Sequence, residues 1–507
     1  MKELPKQGSL YFINLYQNSM LIQMFTELIM TIAKGIINLL DVLINGISTE
    51  KNQKYNAKFL SSSKTHKMLN RRHKGIRFGT KRISVEQSLE HVLVSGASGS
   101  SKTTSVVIPT VLDGNHNMVI TDVDGKIFEL TSGFLKEKKD YQIMVINLQD
   151  LTKSEFFNYY ELCYKDDSKL KGLAMVIVSF AYPNPNSDNK YWSYGAVLAI
   201  YIGLRLLKNQ SIEYRNFTNL RYILQQFHNI EDWIRANSSD EIWSDYVGFS
   251  SGDEKTIAGH LSTALLALDA LSDVGISHLM SKNTIDFNMF SKDSDKKVAL
   301  YLIVPEIKLE FYSFFLSLFY DALFNHVQSH KPANPLFVIL DEFSNMNKIN
   351  SFPVLCTTLR RYNTSLTLIT QTTEQIISKY GVHQAATIIN GSCRTKLFFP
   401  GMSTRQAEEL SRSYGRTSIK IKGNDQPVDR ELITVDELIQ LEDSKVLFQY
   451  KNKAPLILKD VLKPYFKQYS LLRKTKLPPV KLRTNPIKKV PLISFKPNSY
   501  EERQPTE

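Results

Sequence analysis

The stretch SGASGSSKTTSVVIPTVL, residues 95–112, decides the fold. It follows the apolar run HVLV at residues 91–94 and leads into a helical pattern, which gives the order strand, glycine loop, helix. In such a loop backbone N–H groups converge on a polyphosphate, a lysine reaches the β- and γ-phosphates, and a hydroxyl binds Mg²⁺. The sequence therefore predicts a nucleotide site. The residues predicted to form it are Gly96, Ala97, Ser98, Gly99, Ser100, Ser101, Lys102, Thr103 and Thr104, with Thr103 as a Mg²⁺ ligand.

One position departs from the strict phosphate-loop pattern. Ser101 precedes Lys102 where that pattern has glycine. If the position needs a left-handed backbone, serine costs on the order of 1 kcal/mol there. Such a cost is tolerable in a functional loop.

The second half of the site is predicted at an apolar strand that ends in acids, PLFVILDEF. Asp341 would hold Mg²⁺, either through water or together with Thr103, and Glu342 would orient and polarise the attacking water. The alternative is that these acids cap a helix after the strand.

Two residues farther along the chain suit phosphoryl transfer. Arg360 lies 19 residues after Asp341 and could stabilise transition-state charge from a neighbouring subunit. Gln371 follows the strand LTLIT and could sense the γ-phosphate or position water. The alternatives are a solvated helix face for Arg360 and a strand-end cap for Gln371.

Short runs that are apolar on both faces alternate with helical patterns from residue 91 onward, which predicts a largely parallel α/β sheet covered on both sides by helices. The predicted strands are 91–94, 118–121, 143–146, 298–304, 336–340, 366–370 and 396–399.

About 150 residues between the third and fourth strands have mostly helical patterns, clearest at 192–207, 216–228 and 254–272. We therefore expect an all-α insertion. The predicted organisation is a nucleotide-binding domain in two parts, 83–182 and 291–470, with the all-α insertion at 183–290, a basic linker at 51–82 and terminal segments at 1–50 and 471–507.

The net charge of +13 is concentrated outside the predicted domains. Residues 51–82 contain eleven basic and no acidic residues, and residues 471–507 contain nine basic and three acidic residues together with six prolines. The first segment is expected to seek polyanions, and the second to be a disordered basic tail. A solvated or membrane-facing charge run is the alternative. Three widely separated cysteines predict neither a disulfide framework nor a Cys-x-x-Cys metal site, which favours a reducing compartment.

The most apolar stretch, residues 19–47, is interrupted by charged residues. Its polar residues recur at spacings of three and four, which puts them on one stripe of a helix. Such a helix could lie in a bilayer interface, pack in an oligomeric bundle, dock on a membrane partner or be buried within the protein. The stripe consists of Glu27, Thr31, Lys34, Asn38, Asp41 and Asn45.

The sequence resembles the type IV secretion coupling proteins, the TraG/TraD-type ATPases of conjugation. The likeness rests on several stretches between residues 88 and 470, in the order that the family has them. They are GASGSSKTTSVVIPT, VITDVDGKIFELT, LYLIVPE, VILDEFSNMNKI, LITQTTEQIISKYG, IINGSCRTKLFF and ELITVDELIQL. The turn after Asp122 departs from the family pattern, since it reads Asp124, Gly125, Lys126 where Lys, Gly and Glu are usual.

The resemblance implies a RecA-like P-loop NTPase that carries an all-α domain and binds ATP with Mg²⁺, with a membrane-associated N-terminal helix. It implies a homo-hexameric ring at the cytoplasmic face of a bacterial membrane, held peripherally or by one N-terminal helix. Lys102 and Thr103 match the family's phosphate-loop residues, Asp341 and Glu342 the second motif, Arg360 the arginine that acts in trans, and Gln371 the glutamine motif.

The function that the resemblance implies is ATP-driven or ATP-gated transfer of single-stranded DNA. The implied partners are a relaxase, single- or double-stranded DNA, the secretion channel with its secretion ATPase, and a small membrane-anchoring protein. Two alternatives stay open: a nucleotide-gated substrate receptor with little hydrolysis, and a cytosolic DNA translocase.

Overall fold

The computed structural model describes residues 55–182, 187–291, 296–346, 348–349, 351–419, 426–459 and 463–495. The predicted helix at 19–47 lies outside these residues. Within the described part of the chain, no helix has both the length and the hydropathy needed to cross a membrane. The described residues divide into a large unit, within 59–410 and 435–495, and a small unit, within 55–58 and 411–434.

The strands are numbered in chain order over the described residues. They are β1 Arg77–Phe78, β2 Lys81–Arg82, β3 Val92–Ser95, β4 Asn117–Val123, β5 Gln142–Asn147, β6 Val298–Val304, β7 Leu336–Leu340, β8 Thr364–Thr370, β9 Thr395–Phe398, β10 Arg416–Ile419, β11 Val428–Glu431, β12 Lys445–Tyr450 and β13 Leu456–Lys459.

The α-helices are numbered in the same way. They are α1 Ser62–Met68, α2 Val85–Leu89, α3 Ile108–Asp113, α4 Lys126–Lys139, α5 Tyr160–Cys163, α6 Asp167–Ala181, α7 Ser187–Leu206, α8 Phe217–Gln225, α9 Glu231–Asn237, α10 Asp240–Ser250, α11 Glu254–Ala267, α12 Val274–Leu279, α13 Ser313–Ser329, α14 Phe352–Thr358, α15 Thr373–Tyr380, α16 Val382–Ala386, α17 Thr404–Tyr414, α18 Val435–Ile439 and α19 Tyr469–Lys474.

A nine-stranded sheet forms the centre of the described large unit, in the order β13-β12-β9-β3-β8-β7-β4-β6-β5. The strands from β9 to β5 are mutually parallel, whereas β12 runs antiparallel to β9 and β13. Along β3 and β4 successive side chains enter opposite cores, since Leu93 and Val119 belong to one buried cluster and Val94 and Ile120 to the other. Two apolar faces explain why these strands read as continuous apolar runs. The predicted α/β fold with a mostly parallel sheet is confirmed.

Eight helices, α5 to α12, occupy the described chain between β5 and β6. On α11, Ile257 and Leu261 are buried, and so is Leu268 directly after the helix, as their spacing predicts. This helix packs closely on α7, because a Cβ on Gly195 would lie 2.0 Å from the ring of His260. The described chain between β5 and β6 is thus helical, and a separate all-α insertion at 183–290 remains a prediction.

The C-terminal segment differs from the expected disorder. The N–H of Val480 donates to Ser132 Oγ at 3.1 Å, and Asn219 on α8 binds both Pro491 O and the N–H of Ile493. Phe495 packs on Tyr222 and Trp233, with ring centroids 4.9 and 5.0 Å apart. Residues 475–495 are therefore an ordered strap, which crosses from the sheet domain to the helical region.

The predicted basic linker is also partly folded into the body. Arg77 is buried and its Nη1 lies 2.8 Å from Asp113 Oδ1, and Arg82 binds the same carboxylate. Both guanidinium groups are bound to this one carboxylate, so fewer of the eleven charges are available to a polyanion than composition alone suggested.

The small unit is described by itself. Its strands β10 and β11 form an antiparallel pair, and Asn56 bridges to Thr417. Tyr55 N donates to Ser418 Oγ at 3.2 Å.

Candidate nucleotide-binding site

The phosphate loop begins where β3 ends. Gly96 must be glycine, because a Cβ there would lie 2.4 Å from Phe399 Cβ. Gly99 adopts φ +76°, a conformation that glycine reaches without steric cost. Ser101 has φ 67°, so this position does adopt the left-handed backbone. A serine is strained in that conformation, whereas a glycine would not be.

Lys102 is buried and turns back onto the loop. Its Nζ donates to Gly96 O at 2.6 Å and to Ala97 O at 2.9 Å. Burial lowers the pKa of Lys102, although the charges of Glu342 and Asp341 oppose this shift. The ammonium group thus lies among the loop carbonyls, beside the two acids.

Strand order brings the second motif to this loop. The strands β3 and β7 are the two neighbours of β8, so their carboxyl ends lie at the same sheet edge. Thr103 Oγ1 donates to the Asp341 carboxylate, with oxygen–oxygen distances of 3.1 and 3.2 Å. Burial, and secondarily the charge of Glu342, raise the pKa of Asp341 to about 7. A divalent cation would relieve the cost of burying this carboxylate.

Glu342 has a left-handed backbone, with φ 55°, and its side chain forms no hydrogen bond to cap the short helical turn Phe343–Asn345. Burial raises the pKa of its carboxyl group, and the neighbouring Gln371 side chain opposes this shift. Among the described residues, its buried Oε2 has no hydrogen-bond partner. An unsatisfied carboxylate oxygen in the site suits a bound water, and the helix-capping alternative for Glu342 is not supported.

Gln371 follows β8, between the two motifs. Its carbonyl accepts the N–H of Gly96 at 3.1 Å. The adjoining helix α15 is capped by Thr372 and Gln375, so Gln371 is not needed as a cap. Its side chain is free to hold Glu342.

Arg360 does not lie with these site residues. It lies before β8, at the opposite edge of the sheet, where its Nη1 contacts Glu90 Oε1 at 2.7 Å. The seven residues of β8 separate the two edges by roughly 20 Å, which is beyond the reach of an arginine side chain. Arg360 therefore cannot reach the phosphate loop of its own chain.

Sequence reasoning missed several supporting residues. Gln406 is buried, and its Nε2 donates to Ser95 Oγ and Thr373 Oγ1, both at 3.2 Å. Asp124 Oδ1 accepts the N–H of Glu306 at 3.1 Å, which gives the altered turn after Asp122 a structural role. No local motif marks these contacts, because the partners Ser95, Thr373 and Glu306 lie at least 33 positions away along the chain.

The residues present fit a nucleotide with Mg²⁺. The loop presents a left-handed Gly99 and a buried lysine, Thr103 and Asp341 form the adjoining oxygen pair, and Ser100 Oγ is buried without a partner among the described residues. Hydroxyl and carboxylate oxygens are the ligands that Mg²⁺ prefers. A mostly parallel sheet with this loop at its edge defines a RecA-like protein of the P-loop class.

The chain belongs to the family described as type IV secretory system conjugative DNA transfer, whose model matches residues 48–492. It is 24% identical over 349 residues to the type IV secretion system-coupling protein VirD4 of Bartonella quintana (strain Toulouse), which covers 66% of this chain and 54% of the relative. It is 21% identical over 415 residues to the conjugal transfer protein TraG of Escherichia coli, covering 70% and 62%. The chain thus spans less than two thirds of each of these relatives.

Solved structures share the fold. The plasmid coupling protein TrwB in complex with the non-hydrolysable GTP analogue GDPNP superposes with a TM-score of 0.65 at 16% identity, covering 87% of this chain and 99% of that chain. TrwB in complex with ADP and Mg²⁺ gives 0.62 at 16% identity, covering 82% and 96%.

Proposed function

We propose that this chain is a conjugative coupling protein that hydrolyses ATP to drive or gate the passage of single-stranded DNA into a type IV secretion channel. The observation that carries the proposal is the convergence of Lys102, Thr103, Asp341, Glu342 and Gln371 at one sheet edge in a member of this family. A phosphate loop alone would suit binding, whereas the buried acid beside it suits hydrolysis.

The backbone of residues 96–104 and Lys102 would hold the polyphosphate, and Thr103 and Asp341 would hold Mg²⁺. The metal, when bound, supplies charge neutralisation at the phosphate oxygens. Glu342 would accept a hydrogen bond from the attacking water at Oε2, which has no partner among the described residues, and Gln371 would keep that carboxylate oriented.

Arg360 would act on the nucleotide of a neighbouring copy, because it lies about 20 Å from the site of its own chain. This supports a ring in which each site is completed by the next subunit, as the hexamer implied by the resemblance would be. The relaxase, the channel with its secretion ATPase, a small membrane-anchoring protein and peripheral or single-helix attachment at the cytoplasmic face of the membrane belong to the same proposal.

The experiment is DNA-stimulated ATP hydrolysis by the full chain over a series of protein concentrations. We expect a supralinear increase for the wild type and little hydrolysis by Lys102→Ala and Arg360→Ala. Arg361→Ala is the matched control, since it removes the adjacent exposed guanidinium and should keep the wild-type rate. A rate linear in protein concentration, with Arg360→Ala equal to the wild type, would refute the ring mechanism.

A nucleotide-gated receptor is the second candidate. The left-handed Ser101 favours it, because a strained loop residue could slow catalysis. Glu342 opposes it, since binding alone requires no such carboxylate.

A further inference from the structure

A basic cavity of about 460 Å³ opens at the amino-terminal edge of the parallel sheet, away from the phosphate loop. The segments that meet there precede β3, β8 and β9 and follow β12. Its lining has four cationic side chains and one carboxylate, a local charge of +3. The lining residues are Glu90, Arg360, Arg394, Lys451, Asn452 and Lys453.

Glu90 organises this cavity. Its side chain is 5% exposed, and both carboxylate oxygens are engaged. One accepts Arg360 Nη1 at 2.7 Å, and the other accepts Tyr450 Oη at 2.8 Å and Lys451 Nζ at 3.0 Å. Burial alone would raise the pKa of Glu90, but these hydrogen bonds and charges hold it below its ordinary value. The carboxylate is therefore a fixed anion at the cavity wall.

The adjoining His91 fixes the turn that carries Arg360. Its Nδ1 accepts the N–H of Leu366 at 3.0 Å, and its Nε2 donates to Cys356 O at 2.8 Å. Burial lowers the pKa of His91 to about 4, so the ring is neutral and keeps this donor and acceptor arrangement. The backbone on both sides of Arg360 is thus tied to the residue that follows Glu90.

The ion pair orients the Arg360 side chain but uses only part of its hydrogen-bonding capacity. Its side chain is 58% exposed although one Nη1–H is bound to Glu90, and a guanidinium has five N–H donors. The remaining donors face an opening shared with Arg394, Lys451 and Lys453. Among the described residues, neither Arg394 nor Lys453 has a carboxylate within ion-pair distance. Unpaired cations around a preset guanidinium suit a ligand with several phosphate oxygens.

We infer that this cavity receives the triphosphate of a nucleotide bound to a second copy of the chain, and that Glu90 is the positioning residue that holds Arg360 ready for it. The inference rests on the proposed function, because it requires Arg360 to act in trans. A nucleic-acid backbone offers similar phosphates, but the triphosphate is favoured because Arg360, which is remote from the phosphate loop of its own chain, lines the cavity beside Glu90.

The experiment mixes two inactive full-length variants in the presence of DNA. Lys102→Ala lacks a working phosphate loop but can donate Arg360, whereas Arg360→Ala keeps the loop but lacks the arginine. Their mixture should recover hydrolysis where the first chain completes the site of the second. Glu90→Gln is then added to either chain, with Glu86→Gln, on the helix α2 that ends directly before Glu90, as the matched control.

When the Lys102→Ala chain, which donates the arginine, also carries Glu90→Gln, we expect the recovered rate to fall about tenfold. This is the effect expected when an arginine side chain that is no longer held in place must lose its conformational entropy on binding. Glu90→Gln on the Arg360→Ala chain should leave the recovered rate of hydrolysis unchanged. Glu86→Gln should leave that rate unchanged on either chain. Arg394→Ala should likewise lower recovery from the donating chain alone.

Equal losses from both chains would make Glu90 a structural residue and overturn the inference. Unchanged recovery with weaker DNA binding by Glu90→Gln would make the cavity a nucleic-acid site and also overturn it. No recovery in the mixture, while the wild type hydrolyses ATP, would instead refute the trans arginine of the proposed function, and the inference with it.

Discussion

The hydroxyl of Thr103 lies 3.1 Å from the carboxylate of Asp341, although 238 residues separate them along the chain. The contact exists because β3 and β7 flank β8 and end at the same edge. It ties the phosphate loop to the acidic motif that follows β7. The two residues proposed as Mg²⁺ ligands are thus already neighbours.

Thr103→Ala is expected to weaken binding of the Mg²⁺-nucleotide about tenfold. The reason is that the substitution removes one oxygen of the pair and leaves the Asp341 carboxyl group in place. Binding of a fluorescent ATP analogue, titrated with Mg²⁺ and again with EDTA, measures the effect. The loss of nucleotide affinity should appear in the titration with Mg²⁺ and not in the titration with EDTA. An equal loss in EDTA would mean that the hydroxyl supports the loop and not the metal.

Glu342→Gln is expected to abolish most hydrolysis, by a factor of about 10² to 10⁴, while ATP binding is retained. The amide keeps the shape of the side chain but cannot accept a proton from water. Single-turnover hydrolysis and equilibrium binding are compared, with conjugative transfer as the biological readout. A transfer-competent Glu342→Gln chain would favour the nucleotide-gated receptor.

Much of the sheet could be predicted because its strands are buried on both faces. The apolar runs at 298–304 and 336–340 coincide with β6 and β7 residue for residue. Asp341 and Gln371 were predicted as site residues because each directly follows an apolar strand. The strands are β7 and β8, which are parallel, so their carboxyl ends bring the two residues to one edge of the sheet.

The Glu90–Arg360 ion pair and the ordered C-terminal strap could not be predicted, because they depend on contacts between residues far apart in the sequence. Glu90 and Arg360 are 270 positions apart, and a glutamate before a strand has no distinguishing spacing. The strap was misjudged because its prolines and lysines dominate the composition. Its anchors are backbone groups and two apolar side chains, Ile493 and Phe495, which composition does not reveal.

The raised pKa of Asp321 predicts that the free energy of unfolding depends on pH. Asp321 is buried on α13, and burial raises its pKa from 3.8 to about 6, against hydrogen bonds from Tyr159 and Asn325. The folded state therefore keeps a proton that the unfolded state releases between pH 3.8 and 6, so this residue's contribution to stability falls by about 3 kcal/mol as pH rises through that window.

Asp321→Asn should remove this dependence and keep an acceptor for Tyr159. The variant is expected to match the wild type near pH 4 and to be the more stable of the two above pH 6, as measured by chemical unfolding at both values. Exposed Asp269→Asn serves as the control. Comparing variant with wild type also separates Asp321 from His326, whose pKa burial lowers to about 4. A constant difference across pH would contradict the assignment.

The strap should stabilise the helical region locally. Phe495 contacts Tyr222 on α8 and Trp233 on α9, so Phe495→Ala is expected to cost about 1 to 2 kcal/mol of packing there. Hydrogen exchange should accelerate in peptides covering residues 217–237 and stay unchanged across β6 and β7. Leu492→Ala, three residues earlier and 48% exposed, is the matched control and should leave exchange unaltered. If both variants exchange like the wild type, the strap does not hold these helices, because a packed aromatic anchor cannot be removed without exposing the ring of Trp233.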